Sequence, residues 1–158
     1  MPDPRIKPIW RARTFANPAA GANLLITPDT ASTWLIRSLV FDFVTNANVG
    51  TRSVILTATS GSATWLRSSP GGTQAASLTR FYGAYAGSAG AVSQGSAIML
   101  GLPTDGLWLP QGHSLATAVE NIDAGDQISN VNAFIIEFPT GPAETLWPIP
   151  NLYAESAE

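Results

Sequence analysis

The sequence predicts an all-β protein: an antiparallel β-sandwich of about eight strands, most simply a jelly roll, with extended N- and C-terminal arms. Two observations predict it. The middle of the chain is a succession of short runs in which apolar and polar residues alternate, separated by turn residues, and no segment is convincingly helical. Eight of the twelve prolines lie in the first 20 and last 20 residues, which sets both ends apart from the body.

We therefore expect one sandwich domain over residues 21–138, preceded by a basic proline-rich arm (1–20) and followed by a second proline-rich arm (139–158). At 158 residues, a single domain is long enough to bury a core without a metal or a disulfide. The expected strands, in chain order, are 22–27, 33–45, 51–59, 63–67, 74–86, 96–102, 114–120 and 128–138.

Two of these strands can be divided into two faces. In 33–45, Leu39, Phe41 and Phe43 share one face, and in 51–59 a second apolar face alternates with Ser53, Ile55 and Thr57. That second face consists of Val54, Leu56 and Ala58. The segment 74–86 has both helical and strand features and is assigned to a strand, while 83–95, rich in Gly, Ala and Ser, is expected to be a loop.

The segment 107–138 reads as a β-hairpin. Strand 114–120 is followed by Asn121, Asp123, Gly125 and Asp126, which favour a chain reversal over 121–127, and then by strand 128–138. In the second strand Ile128, Phe134, Ile136 and Phe138 are expected on one face, and Val131, Ala133 and Ile135 make the other face apolar. Phe134 and Ile136 are thus predicted to be core residues.

The N-terminal arm is the strongest candidate for partner binding. Residues 1–13 hold four basic residues and one acidic residue, a net charge of +3, so residues 14–158 must carry −6 to give the total of −3. Such an arm folds back on its own or a neighbouring body, lies on an acidic partner surface, or stays a solvated tail. Its prolines are expected to exclude a strand ladder, so deleting 1–20 should leave the sandwich folded. The predicted partner-binding residues of both arms are Arg5, Lys7, Trp10, Arg11, Arg13, Phe15, Trp147 and Tyr153.

Most catalytic and cofactor chemistry is disfavoured. The chain has no cysteine and one histidine, too few ligands for a histidine-based metal site, so no metal and no cofactor are predicted. Asp105, His113 and Ser114 do not match the spacing of a nucleophile elbow, and Asp123 and Asp126 are expected to form a turn rather than a calcium site. The negative net charge disfavours sequence-specific nucleic-acid binding, and no apolar run approaches a membrane span.

Charge is scarce: 12% of residues are charged, about half the ~25% usual for soluble domains, which suggests that other subunits cover much of the surface. The five tryptophans are Trp10, Trp34, Trp65, Trp108 and Trp147. They are expected in interfaces or the core, with a carbohydrate-stacking platform as the alternative.

The chain contains, in order, TWLIRSLVFDFVT (33–45), GTRSVILTA (50–58), a Gly/Ala-rich middle and LWLPQGHSLATAVENIDAGDQISNVNAFIIEF (107–138). This order, with its Leu-Pro-x-Gly entry and Gly-Asp turn, resembles the small jelly-roll structural proteins of tailed-bacteriophage virions, and among these the capsid decoration, or cement, proteins. The resemblance covers roughly residues 22–138.

The resemblance implies a non-enzymatic protein on the outer capsid surface of a virion, made in the host cytoplasm. Its partners would be the major capsid protein, whose subunits it binds and stabilises at their contacts, and other copies of itself in a homotrimer. The alternative is a module of the phage neck, tail or fibre that binds a receptor or carbohydrate.

Overall fold

The computed structural model describes residues 7–88, 93–94 and 96–139, and this part of the chain contains eleven strands and no helix. The strands are β1 (Ile9–Thr14), β2 (Leu25–Ile26), β3 (Ser32–Val44), β4 (Ser53–Ser60), β5 (Ala63–Ser68), β6 (Thr79–Ala86), β7 (Ser93–Gln94), β8 (Ala97–Leu102), β9 (Leu107–Leu109), β10 (His113–Glu120) and β11 (Gln127–Pro139). No helix long and apolar enough to cross a membrane occurs among these residues.

The strands form two sheets packed as a sandwich, which confirms the predicted fold class. The large sheet has the order β1-β11-β3-β6-β8-β7, with β9 also paired to β3, and the small sheet has the order β2-β10-β4-β5. All pairs are antiparallel except β6 with β8. The strand order is compatible with a jelly roll. The sequence-based count of about eight missed three strands: β1, the two-residue β7 and the three-residue β9.

The core lies between the sheets and is formed by the faces that the alternation predicts. Leu39, Phe41 and Phe43 of β3 are fully buried, and so are the predicted inward residues of β4. The rings of Phe41 and Tyr82 stack with centroids 5.4 Å apart. Burial of each such side chain contributes roughly 1.5–3 kcal/mol to folding.

The predicted hairpin of 107–138 is wrong. β10 pairs with β4 and β2 in the small sheet, whereas β11 pairs with β3 and β1 in the large sheet. The turn 121–127 therefore carries the chain from one layer to the other. Alternation reports which face of a strand is buried, but it does not report which strand lies beside it.

The predicted face of β11 is also wrong, because the strand shifts register. Between Ser129 and Asn132 the pairing with β3 slips by one residue, and Asn130 takes a positive φ of 54°. Ile128 and Val131 consequently both belong to the core, although their numbers differ in parity. Phe134 is 40% exposed on the outer face, so its predicted core position is wrong, whereas Ile136 is buried as predicted, at 7% exposure.

The N-terminal segment joins the large sheet. Ile9–Thr14 pairs with β11 over six residues, from Ile9 opposite Glu137 to Thr14 opposite Asn132. The expectation that prolines exclude a ladder is wrong for this segment, since Pro8 stands just before the strand and β1 lies at the sheet edge, where a missing donor is tolerated.

The strand assignment within 74–86 is confirmed for Thr79–Ala86. β6 continues through Gly83 to Ala86, so the loop predicted for 83–95 begins later than expected. The ring of Tyr85 lies over Gly83; a Cβ there would come within 2.5 Å of Tyr85 Cε2, so any larger residue would displace that ring. Residues 89–92 and 95 of the predicted loop lie outside the described residues.

Candidate functional site

A row of large apolar side chains crosses the outer face of the large sheet, on the side away from the core. The ladder places Trp10 of β1 opposite Ile136, Ile136 opposite Leu35, and Leu35 opposite Trp108 of β9. Residues directly opposite in antiparallel strands project to the same face, so these four side chains form one line across four strands. We call this line the outer aromatic row.

Two aromatic pairs stand at the ends of the outer aromatic row. Trp10 contacts Phe134 with ring centroids 5.6 Å apart, and Trp108 contacts Phe138 with centroids 5.0 Å apart. Trp10 is 60% exposed and Trp108 is 42% exposed, whereas Ile136 and Leu35 between them are 7% and 8% exposed. The outer aromatic row therefore has an exposed indole at each end and buried aliphatic side chains between them. Exposed aromatic side chains beside apolar ones are typical of protein interaction surfaces.

The opposite face of β1 places Arg11 and Arg13 against the sandwich. Arg13 is ion-paired with Asp29 (2.8 Å) and Glu137 (3.2 Å), and Arg11 is paired with Glu137 (2.6 Å). The Arg13 guanidinium also lies 4.5 Å from the centre of the buried Trp34 ring. Burial acts to lower the pKa of Arg13, but the hydrogen bonds and charges of Asp29 and Glu137 outweigh it and raise the pKa. This cation stays charged and serves the fold.

The predicted partner-binding residues thus fall into different environments. Phe15 is half-buried against Trp34, with ring centroids 6.1 Å apart, and packs on the core cluster. Lys7 is exposed before β1, Trp10 lies in the outer aromatic row, and Arg11 and Arg13 bind the chain's own carboxylates. The remaining three, Arg5, Trp147 and Tyr153, lie outside the described residues.

Sequence reasoning missed Trp108, at the β9 end of the outer aromatic row. Trp108 lies in a strand of three residues between Gly106 and Pro110, too short to show a period. The prediction that Phe134 lies in the core is wrong because the register shift of β11 has no sequence signal beyond Asn130.

Asp123 and Asp126 hold the turn between the layers. The carboxylate of Asp126, which is 0% exposed, accepts hydrogen bonds from the backbone N–H of Asn46 (2.9 Å), the backbone N–H of Asp123 (2.8 Å) and Arg52 Nε (3.0 Å). Asp123 accepts from the side chains of Asn46 and Asn48. Hydrogen bonds from Asn48, the Gly125 amide and Asn46 lower the pKa of Asp123. The cation that Asp126 binds is the guanidinium of Arg52, which supports the interpretation of this segment as a turn over a calcium site.

Asp105, His113 and Ser114 each contact a different residue. The Asp105 carbonyl accepts from Arg37 (2.8 Å), and the Ser114 hydroxyl bonds the Thr59 hydroxyl (2.7 Å). His113 faces the ring of Trp65, with centroids 6.2 Å apart. Among the residues that the structure describes, no group of three or more His, Cys, Asp or Glu side chains could hold a metal ion.

Comparisons of the chain with protein-family models, with curated proteins and with solved structures find no match.

Proposed function

We propose that the protein is a non-enzymatic structural protein of a bacteriophage virion, which decorates the outside of the capsid and stabilises it by binding between major capsid protein subunits. The observation that carries the proposal is the N-terminal edge, defined as Lys7, which precedes β1, and Ile9 and Arg11 within β1. Within the described residues β1 pairs on one side only, with β11, so its other side offers backbone hydrogen-bonding groups to a partner.

The N-terminal edge combines apolar and basic contacts. Ile9 is 39% exposed, Lys7 is exposed, and 47% of the Arg11 side chain is accessible although it pairs with Glu137. Its charge is opposite to that of the rest of the chain, which carries −6 over residues 14–158. A basic strip on an acidic body favours a fixed orientation, with the strip against a complementary acidic surface. A capsid shell of acidic outer surface would provide it.

Exposed apolar residues on other faces favour a multi-subunit setting. Leu25 at the edge of the small sheet is 66% exposed, and Val49, in the loop between β3 and β4, is fully exposed. Single exposed apolar residues are ordinary, but here they occur on separate faces of a chain that is poor in charge. A module wedged between several capsid subunits, in a homotrimer or another cluster, would cover them.

The described polar groups support a structural role. The histidine packs on Trp65, Ser114 bonds Thr59, and Arg52 and Asp126 neutralise each other inside the sandwich. These are the groups that hydrolytic or acid–base chemistry would need free.

A receptor- or carbohydrate-binding module of the neck, tail or fibre is the second candidate. Trp65 favours it, since the ring is 45% exposed on β5 of the small sheet and is held edge-on by His113. An exposed and oriented indole is suited to stacking on a sugar ring.

The test is occupancy on particles that lack the protein. The variant carries Lys7→Glu and Ile9→Ser, two changes that take the net charge of the N-terminal edge from +2 to zero and remove its apolar contact without touching the core. We expect reduced occupancy at unchanged circular dichroism and melting temperature, and we expect wild-type occupancy to fall as salt rises, because exposed charges are screened beyond about 8 Å at physiological ionic strength.

Trp65→Ala is the matched control on the other sheet and should bind particles normally. Full occupancy of the edge variant would contradict the proposal. Loss of glycan or host-cell binding in Trp65→Ala, with few copies per particle, would favour the second candidate.

A further inference from the structure

We propose that the outer face of the large sheet, the side away from the core, is a two-fold interface between two copies of this chain. In the dimer the two β3 strands run antiparallel across the interface, and Arg37 of each copy faces Asp42 of the other. The N-terminal edge belongs to the inward side of β1 and stays free. The inference therefore goes beyond the proposed capsid role and does not depend on it.

The outer face of the large sheet is apolar beyond the outer aromatic row. Asp42 lies between Phe41 and Phe43, which both belong to the core, so the Asp42 side chain projects outward. Phe81 lies opposite Asp42 on β6, and Val44 follows two residues along β3, so both also project outward. Phe81 is 37% exposed and Val44 is 36% exposed. Exposed apolar side chains thus occur at both ends of this face.

The exposed area is close to what one side of a stable dimer needs. Trp10, Trp108, Phe134 and Phe81 are 60%, 42%, 40% and 37% exposed. At these fractions the four rings expose roughly 360 Å², taking ~200 Å² per aromatic side chain. A standard interface buries about 800 Å² on each partner, of which about 57%, or roughly 450 Å², is apolar. The four rings therefore supply most of that apolar area.

The charges on this face suit a second copy. Among the described strands of the large sheet, only Arg37 and Asp42 place a charged side chain on the outer face, and their charges cancel. Arg37 donates to the Asp105 carbonyl, and Asp42 accepts from Asn130 Nδ2 at 2.7 Å, so each is held in place by a neutral group. Residues 14–158 carry −6, so two copies repel each other through the rest of their surface and least through this neutral face.

The positions of the two charges define the symmetry. Arg37 and Asp42 lie five residues apart on β3. A two-fold axis that crosses β3 midway between them, at right angles to the strand, places each charge opposite its counterpart in the second copy. Parallel stacking of the two strands would instead bring arginine onto arginine. Sheets packed face to face lie about 10 Å apart, a gap that an arginine and an aspartate together can bridge. The same operation brings Val44 of each copy to the Trp108 end of the other.

The first test is the mass of the full-length protein by sedimentation equilibrium over a range of concentrations. We expect a dimer, twice the 16.6 kDa of the chain. Phe81→Ser should raise the dissociation constant about tenfold or more, because it removes an exposed ring from the interface. Trp65→Ser, which removes a ring of similar exposure from the small sheet, is the matched control and should leave the dimer unchanged. The edge variant with Lys7→Glu and Ile9→Ser should also stay dimeric, which separates this interface from capsid binding.

The second test is a charge exchange. Arg37→Glu alone and Asp42→Arg alone each bring like charges together, so each should raise the dissociation constant about tenfold. The double variant restores opposite charges across the two-fold axis and should return to within about threefold of the wild type. Circular dichroism of each variant establishes that the sandwich is intact.

Four outcomes would overturn the inference. A monomer at every concentration would leave the outer face to a different protein, and a trimer would contradict the two-fold symmetry. A dimer that Phe81→Ser does not weaken would place the interface elsewhere on the chain. A double charge variant as weak as the two single ones would show that Arg37 and Asp42 do not face each other.

Discussion

Arg52 and Asp126 form an ion pair inside the sandwich, with Arg52 Nε 3.0 Å from Asp126 Oδ2 and the two side chains 2% and 0% exposed. Arg52 follows the loop that leads from β3 in the large sheet to β4 in the small sheet, and Asp126 ends the turn that leads from β10 back to β11. Arg52 also donates to the carbonyls of Asn48 and Gly50. The pair therefore joins two of the connections that cross between the layers.

We expect Arg52→Ala to destabilise the protein by about 3–5 kcal/mol, because removing one partner leaves a buried charge uncompensated. The matched control is Arg67→Ala. Arg67 pairs with Glu120 at 3.7 Å on the surface, with both side chains more than half exposed, and such a pair contributes about 0–1 kcal/mol. Urea unfolding measures both. Similar losses for the two arginines would show that the pair between the layers is not a stabilising element.

The faces of the central strands could be predicted because their alternation is unbroken where it matters, over Leu39–Phe43 and Val54–Ala58. The strand that pairs with β10 could not be predicted. Arg52 and Asp126 lie 74 residues apart in the sequence. Taken locally, Arg52 is a basic residue in a loop and Asp126 is an aspartate in a turn. A long-range pair of this kind leaves no periodic signal.

The outer aromatic row could be predicted only in part, again because the sequence does not show which strands pair. Composition makes Trp10, Arg11 and Arg13 equal candidates for partner binding. Only the pairing of β1 with β11 shows that Trp10 projects outward while both arginines pair with Glu137. Proline placement indicated the arm, but it could not show that the proline-free stretch from Ile9 would pair as an edge strand.

Phe134→Ala should have a small effect on stability, within about 1 kcal/mol, because the ring is 40% exposed and its main aromatic contact is Trp10 on the outer face. Phe41→Ala is the comparison, since Phe41 is 1% exposed and stacks on Tyr82. That change should cost about 3–5 kcal/mol through lost burial and a cavity. Thermal and urea unfolding of the two variants measure the difference. If Phe134→Ala proved as costly as Phe41→Ala, the outward position of Phe134 would be wrong.

Deleting residues 1–14 should destabilise the sandwich, contrary to the expectation that the arm is dispensable for folding. The deletion removes β1 and Arg13, which covers Trp34, and frees the edge of β11. Trp34 is 1% exposed in the intact protein, so its exposure should shift tryptophan emission to longer wavelength and lower the melting temperature. Arg11→Ala is the mild control, because Arg13 still pairs with Glu137. An unchanged melting temperature after the deletion would mean that β1 does not support the core.

Tyr82 should make stability fall in strong alkali. Burial raises its pKa from 10.0 to about 12, with Arg80 acting in the opposite direction, and its hydroxyl donates to Gln74 Oε1 at 3.1 Å. Above pH 10 the unfolded tyrosine loses its proton while the folded one keeps it, so the stabilisation is complete below 10 and is lost towards 12. Two pKa units correspond to about 2–3 kcal/mol.

Tyr82→Phe separates this effect from the titration of other groups. At neutral pH the variant should lose about 1 kcal/mol, because Gln74 loses a hydrogen-bond donor inside the core. Between pH 10 and 12 its unfolding free energy should fall less steeply than that of the wild type, so the two curves approach each other. Urea unfolding across this range, together with the ultraviolet titration of tyrosine, gives both quantities. Parallel curves for the two proteins would show that Tyr82 ionises as readily in the folded chain as in the unfolded one, which would contradict its burial in the core.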